Sequence, residues 1–307
     1  MSTLTTGRRR KPSHLAVVGL EPTRAPSTAY PVNVIACWSG VGSPGRTTVA
    51  INIAAELALA GERVLLIDLD TLGPAISLSL GLVDTPAGLS AALRLVEQGR
   101  FSASEFERLS VAIDLGRSEL LFLPGLSSAT RWQEVTAERL SALLASVAQY
   151  VDHVVLDLAQ PTFSVSSRNH PSTMNSSSRD DLLADVLVRA DKLVVISGCD
   201  PVAAKRFLDA QSYLTEVGRT ADQYLAVNRF RTSTLGSDAK HEISQSYENL
   251  VKLRVDCFIP DDPENLDRAM RNGLPLALLK RSSPARIAIN ELAKQILISS
   301  AKRVSRG

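Results

Sequence analysis

Between residues 39 and 48 the chain reads Ser39-Gly40-Val41-Gly42-Ser43-Pro44-Gly45-Arg46-Thr47-Thr48. Gly40, Gly42 and Gly45 free the backbone to turn amide N–H groups, together with those of Ser43 and Pro44's neighbours, toward an anion. Thr47 and Thr48 supply hydroxyls, and Thr47 stands where a phosphate-bound Mg²⁺ would find its ligand. The spacing Gly40, Gly45, Arg46, Thr47 fits G-x-x-x-x-G-K-[ST], with Arg46 where lysine is expected. Arginine keeps the charge but carries it on a larger planar fork, so phosphate binding is retained and fast hydrolysis is not implied. Three carboxylates follow. Asp68 and Asp70 close one apolar run and Asp157 closes another. Beside phosphates, one of the Asp68/Asp70 pair could hold Mg²⁺ through water and the other could orient an attacking water, while Asp157 could hold the metal's waters. Taken alone, the loop also reads as a glycine-rich helix cap, and the pair as polar residues leaving a strand.

These residues need elements to hold them. The apolar run at 34–38 predicts a buried strand before the loop, and the spacing after it predicts a helix over 46–59. Further strands are expected at 64–70, 120–123, 153–157, 192–197, 224–228 and 255–259. Helices are expected at 75–80, 89–95, 136–147, 201–217, 238–250, 265–271 and 284–301, with Asp200 as a cap and Pro201 at the first position of the fifth. If the second strand runs through 70, Asp68 and Asp70 share one face. Apolar strands alternating with helices predict an α/β fold, a doubly wound and mostly parallel sheet covered on both sides. Ligands in such sheets sit at the carboxyl ends of strands, where Gly40–Thr48, Asp68, Asp70, Asp157, Asn228 and Pro260 all fall.

Composition sets wider bounds. The 307 residues carry a formal net charge of +2, with basic runs at Arg8–Lys11 and toward the end of the chain. Residues 1–31 read as a disordered basic tail, 32–303 as one domain, and 304–307 as a short tail. Residues 160–179 form a Ser-rich loop within the domain, with a partner-binding role and a plain insertion both open. The three cysteines follow no metal or disulfide spacing, and Cys37 and Cys257 lie in apolar runs as small core residues. No apolar run approaches a spanning helix, so a cytoplasmic protein is expected, with peripheral attachment at the inner membrane as a further option.

Together these motifs resemble the ParA/MinD family of deviant Walker-type ATPases, over residues 34–297. Val41 through Thr48 resembles the family's K-G-G-x-G-K-[ST]-T loop. Leu66-Ile67-Asp68-Leu69-Asp70 is similar to its second strand, and Asp152 through Asp157 to its Walker B strand. Val227-Asn228-Arg229 resembles the adenine-contacting Asn-Arg pair, and Ile259-Pro260-Asp261 the purine-side loop. The resemblance implies a P-loop NTPase fold, ATP and Mg²⁺ as ligands, Asp70 as the water-positioning residue, and a nucleotide-linked homodimer. It also implies a protein partner in an apparatus that positions chromosomes, plasmids, division sites or pilus and secretion machinery.

Two positions depart from the pattern. The family's signature lysine, which reaches a partner subunit's phosphates, corresponds to Val41, and its ordinary Walker lysine corresponds to Arg46. Such losses resemble the atypical branch of CpaE and TadZ, pilus-localising relatives, and of actinobacterial septum-site-like proteins. Slow hydrolysis at most is therefore expected, with a non-hydrolysing scaffold as the alternative. Arg131 is either a replacement charge or a surface arginine. The final helix either packs its Ile289/Leu292/Ile296 face on the core or offers it to lipid, and the basic tails could meet DNA or a membrane surface.

Overall fold

Apolar runs that lack polar alternation become strands buried on both faces, and the amphipathic runs between them become the covering helices. The computed structural model describes residues 32–42, 44–162, 179–219, 222–231, 236 and 238–304. Its first half contains β1 (Asn33–Trp38), α1 (Arg46–Leu59), β2 (Val64–Leu69), α2 (Ile76–Ser79), α3 (Gly88–Glu97), α4 (Ala103–Leu109), β3 (Val111–Asp114) and β4 (Glu119–Leu123). A 3-10 turn (Ala129–Glu134), α5 (Ala137–Val147) and β5 (His153–Leu158) follow. The second half contains α6 (Arg179–Arg189), β6 (Lys192–Gly198), α7 (Pro201–Glu216), β7 (Gln223–Phe230), α8 (Ala239–Val251) and β8 (Val255–Pro260). It ends in α9 (Pro263–Asn272), α10 (Leu276–Leu279) and α11 (Pro284–Val304).

The described strands form one eight-stranded sheet in the order β3-β4-β2-β5-β1-β6-β7-β8. Every neighbouring pair is parallel except β3 with β4. This is the expected α/β, doubly wound, mostly parallel sheet. Alternate residues of β1 enter opposite cores. Val34, Ala36 and Trp38 join the core under α3 to α7, and Ile35 and Cys37 join the one under α1, α2 and α9 to α11. Cys37 and Cys257 are buried thiols, as expected.

Local chemistry sets the element ends. Asp200 accepts the Ala203 amide at 2.9 Å and Pro201 opens α7, the cap read from the sequence. The α11 face of Ile289, Leu292 and Ile296 lies in the core, and Glu56 of α1 accepts from Arg286 and Asn290 of α11 at 2.6 Å each. That face is therefore occupied by the fold rather than offered to lipid.

Several elements differ from expectation. β2 stops at Leu69, because the Asp70 carboxylate folds back to accept the Leu72 and Gly73 amides at 2.9 Å. Asp70 thus lies in a turn, and the two aspartates do not share a strand face. α4, β3 and α6 are additional to the sequence reading. α4 buries only Phe106, β3 is a short edge strand with a single buried residue, and α6 begins with the charged run Arg179-Asp180-Asp181. The first two offer little apolar periodicity, and the charged start of α6 hides its helical face. The expected tail at 1–31, Ser43, positions 163–178 of the expected Ser-rich loop and 305–307 lie outside the described residues.

Candidate functional site

β1 delivers the chain into the glycine-rich loop at the middle of the sheet, between β5 and β6. Ser39 is wholly buried beneath it. Gly40 packs against α7 so closely that a Cβ would stand 2.9 Å from both the Ala210 Cβ and the Arg206 carbonyl. Gly45 caps α1 with φ 92°, in the left-handed region, and a Cβ there would meet Asn228 Nδ2 at 2.4 Å. Asn228, from the end of β7, donates that amide to the Pro44 carbonyl at 2.7 Å. The loop is thus held from below by Ser39, from the side by α7 and across its end by Asn228.

The first helical residue decides the electrostatics. Arg46 is buried and its fork points inward to the strand ends. Its Nη2 donates to Asp70 Oδ2 at 2.5 Å, Nε to Asp157 Oδ1 at 3.1 Å and Nη1 to Ser39 Oγ at 3.3 Å. Thr47 Oγ1 donates to the other Asp157 oxygen at 2.6 Å. Asp68 accepts the Asp70 amide at 3.2 Å and the Ile76 amide at 3.0 Å. Asp70 is held on both oxygens too, with Arg46 on one and the Leu72 and Gly73 amides on the other. β2 and β5 pair with Asp68 opposite Asp157, which brings the carboxylates together.

Burial raises the proton affinity of two of these carboxylates, Asp68 and Asp157. Burial, then the Asp157 charge, pushes Asp68 up to about 7 against two amide bonds that pull it down. Burial pushes Asp157 up to about 6, opposed first by Arg46. Burial also raises the Cys37 thiol on β1, which keeps it a neutral core residue.

The remaining expected positions divide. Asn228 reaches the loop. Thr48 gives its carbonyl to Asn52, whose side chain in turn accepts the Leu276 amide at 2.8 Å, tying α1 to α10. Arg229 has φ 55°, and its carbonyl accepts from Cys199. Pro260 ends β8, and Asp261 donates its amide to the Phe230 carbonyl at 3.0 Å and pairs with Arg231 at 3.5 Å. Those contacts run along the ends of β7 and β8, beside Asn228. Arg131 bonds Glu134 and Ser127 within its own turn, so it serves as a surface arginine and not as a charge for the loop. Ser39, which accepts from Arg46, and Arg206, which lies against Gly42, touch the loop but were given no role by sequence reading. Ser39 directly precedes Gly40 and was legible by position, while Arg206 lies 166 residues beyond Gly40 and carried no local signal.

Thr47, Asp157 and Asp68 are hard oxygen donors of the kind Mg²⁺ takes. Among the described residues no group of three His, Cys, Asp or Glu side chains could hold a metal by itself. A cation bound through one or two side-chain oxygens and completed by phosphate oxygens fits this sparse set.

The chain is similar to known proteins in sequence and in fold. Residues 35–276 match the model described as the CobQ/CobB/MinD/ParA nucleotide binding domain. The septum site-determining protein MinD of Bacillus subtilis is 24% identical over 268 residues, covering 86% of this chain and 88% of its own. The structure of a ParA family ATPase from Chlorobium tepidum superposes with a TM-score of 0.67 at 17% identity, covering 85% of this chain and 98% of that one. MinD from Pyrococcus horikoshii, solved with Mg-ADP, superposes with a TM-score of 0.64 at 18% identity, over 86% and 96% of the two chains. A glycine-rich loop leaving the central strand, with a Walker-type threonine bonded to the strand-end aspartate and a family model spanning most of the sheet, makes this chain a member of the ParA/MinD family.

Proposed function

We propose that the protein is an ATP-binding spatial regulator of the ParA/MinD type in which hydrolysis is slow at most. In this reading Gly42 through Thr48, with Gly40 before them, hold the phosphates, every residue but Pro44 through its backbone N–H. Thr47 and Asp157 hold Mg²⁺, with Asp68 behind them. Asn228, Arg229, Pro260 and Asp261 form the adenine end, and Asp70 orients water. Mg²⁺ would supply charge neutralisation at the phosphates. The Mg-ADP complex of the Pyrococcus relative supports nucleotide as the ligand.

The observation that carries the slow-enzyme reading is the Arg46 fork, engaged by Asp70, Asp157 and Ser39. A lysine is a compact charge on a flexible stem that can reach outward to phosphates. Arg46 is anchored inward, and Asp70 has both oxygens committed before any water arrives. The same observation favours the second reading, a non-hydrolysing scaffold that localises a partner complex. In either case the output runs through a homodimer and a protein partner in a positioning or secretion apparatus. The loss of charge at Val41 supports a place near the CpaE/TadZ branch. Location in the cytoplasm or at the inner face of a membrane fits this role. Among the described residues no helix is long and apolar enough to cross a membrane.

Calorimetry with Mg-ATP and Mg-ADP on wild type and Arg46→Ala, with sedimentation in parallel, tests the proposal. Wild type should bind at micromolar levels. Arg46→Ala should bind at least tenfold more weakly, because three carboxylates would then repel the phosphates unopposed. ATP-dependent dimers support the regulator, and binding without dimers or turnover supports the scaffold. Turnover as fast as that of partition ATPases with intact lysines refutes slow hydrolysis.

A further inference from the structure

With Arg46 turned inward, the loop needs another cation for an incoming phosphate. Arg206 lies in the second turn of α7, and its guanidinium covers Gly42. A Cβ built on Gly42 would stand 2.3 Å from Arg206 Nη1 and 3.1 Å from its Cζ. Gly42 also has φ 113°, so both its backbone and its missing side chain accommodate that fork. A small cavity of about 30 Å³ separates the loop from α7, bounded by Gly40, Val41, Gly42, Pro44 and Arg206, and Arg206 is the only charged residue among those lining it.

The pairing around the loop isolates this charge. Its neighbours in sequence are otherwise occupied, since Lys205 pairs with Asp209 one turn on and Asp200 caps the helix. Among the described residues Arg206 makes no ion pair, and its side chain is exposed. An unpaired guanidinium held over a glycine whose backbone faces an anion cradle is suited to bidentate phosphate contact.

We propose that Arg206 is a phosphate-binding residue that closes over the glycine-rich loop from α7, supplying within one chain the cation that Arg46 does not offer and Val41 lacks. The ligand class is a di- or triphosphate. The fork changes rotamer above Gly42 to meet the terminal phosphate groups at the loop. This deepens the nucleotide-binding reading and rests on it.

The test is calorimetry on the full chain with Mg-ATP, AMP and pyrophosphate, comparing wild type, Arg206→Gln and Arg206→Lys. Because Arg206 is exposed, both variants should melt within a few degrees of wild type, which circular dichroism checks. Arg206→Gln should weaken Mg-ATP and pyrophosphate about tenfold or more, as loss of a charge-assisted contact does, and leave AMP unchanged. Arg206→Lys should recover most of the loss. Equal Mg-ATP affinity for Arg206→Gln and wild type overturns the Arg206 proposal while leaving nucleotide binding intact. A wild type that binds neither nucleotide nor pyrophosphate overturns both.

Discussion

Asp70 and Asp157 share the one guanidinium of Arg46 while Asp68 is held by backbone amides alone, and that imbalance has a consequence for stability as well as for ligands. A carboxyl whose folded value is raised stabilises the fold at low pH, and loses that contribution as pH rises through the folded value. For Asp157 the loss builds up as pH rises from the ordinary value of 3.8 and ends just above about 6, and for Asp68 it ends just above about 7. His153, buried at the start of β5, works in the other direction. Burial lowers its value from 6.5, so its contribution is lost only as pH falls below that point. Above pH 6.5 the Asp68 contribution is therefore the one still changing among these groups. The unfolding free energy of the ligand-free protein should fall by about 1 kcal/mol between pH ~6.5 and ~8. Asp68→Asn should flatten that slope whatever it does to stability at a single pH. Denaturant melts across the range check this, and a slope that survives in Asp68→Asn removes Asp68 as its source. The loop and the carboxylates were legible in the sequence because glycine spacing and strand-end aspartates are local patterns. The direction of the Arg46 fork was not. It depends on Ser39, Asp70 and Asp157 arriving together from three different strand ends, which no window of sequence contains.

At the scale of elements, the loop owes its shape to neighbours as much as to its own glycines. Gly45 combines a left-handed φ with an Asn228 amide where a side chain would go. Gly45→Ala should therefore displace Asn228 from the Pro44 carbonyl and cost about 1–3 kcal/mol. It should also lower Mg-ATP affinity in the same calorimetric experiment. An unchanged melting temperature would mean that the loop relaxes without Asn228. Strands β1, β2, β5 and β6 were legible because a parallel strand buried on both sides must be apolar throughout, and their ends were found within about two residues. The end of β2 was misplaced because the aspartate that terminates it also looks like its last residue. α6 has apolar residues at 182, 183, 186 and 187, a helical face, but its charged first turn follows a stretch without periodicity and the pattern has no clear start.

For the whole molecule, the phosphate-loop helix is the hub. α1 meets β1, β2, β4 and β5 on one side and α10 and α11 on the other. Its Glu56 side chain is 2% exposed and accepts the Arg286 fork, at 17% exposure, from 230 residues away. Removing Arg286 strands a buried carboxylate, so Arg286→Ala should cost about 3 kcal/mol. Denaturant unfolding measures it, and a loss below about 0.5 kcal/mol would reclassify the pair as an ordinary surface bridge. The apolar spacing over 284–301 located α11, but only the structure shows that a carboxylate inside α1 holds it.

The packing of Gly40 on α7 carries one more implication. A Cβ at Gly40 would stand 2.9 Å from helix backbone and from a neighbouring methyl group, so loop and helix are in close contact at that point and a movement of α7 there is felt by the loop. In the language of linkage, phosphate occupancy and the position of α7 share a free energy, and such sharing is reciprocal. Any protein that grips the outer surface of α7 more tightly in one position than in the other must change the affinity for nucleotide by the factor by which nucleotide changes its own. A positional marker built this way can report its ligand state without turning over a single molecule.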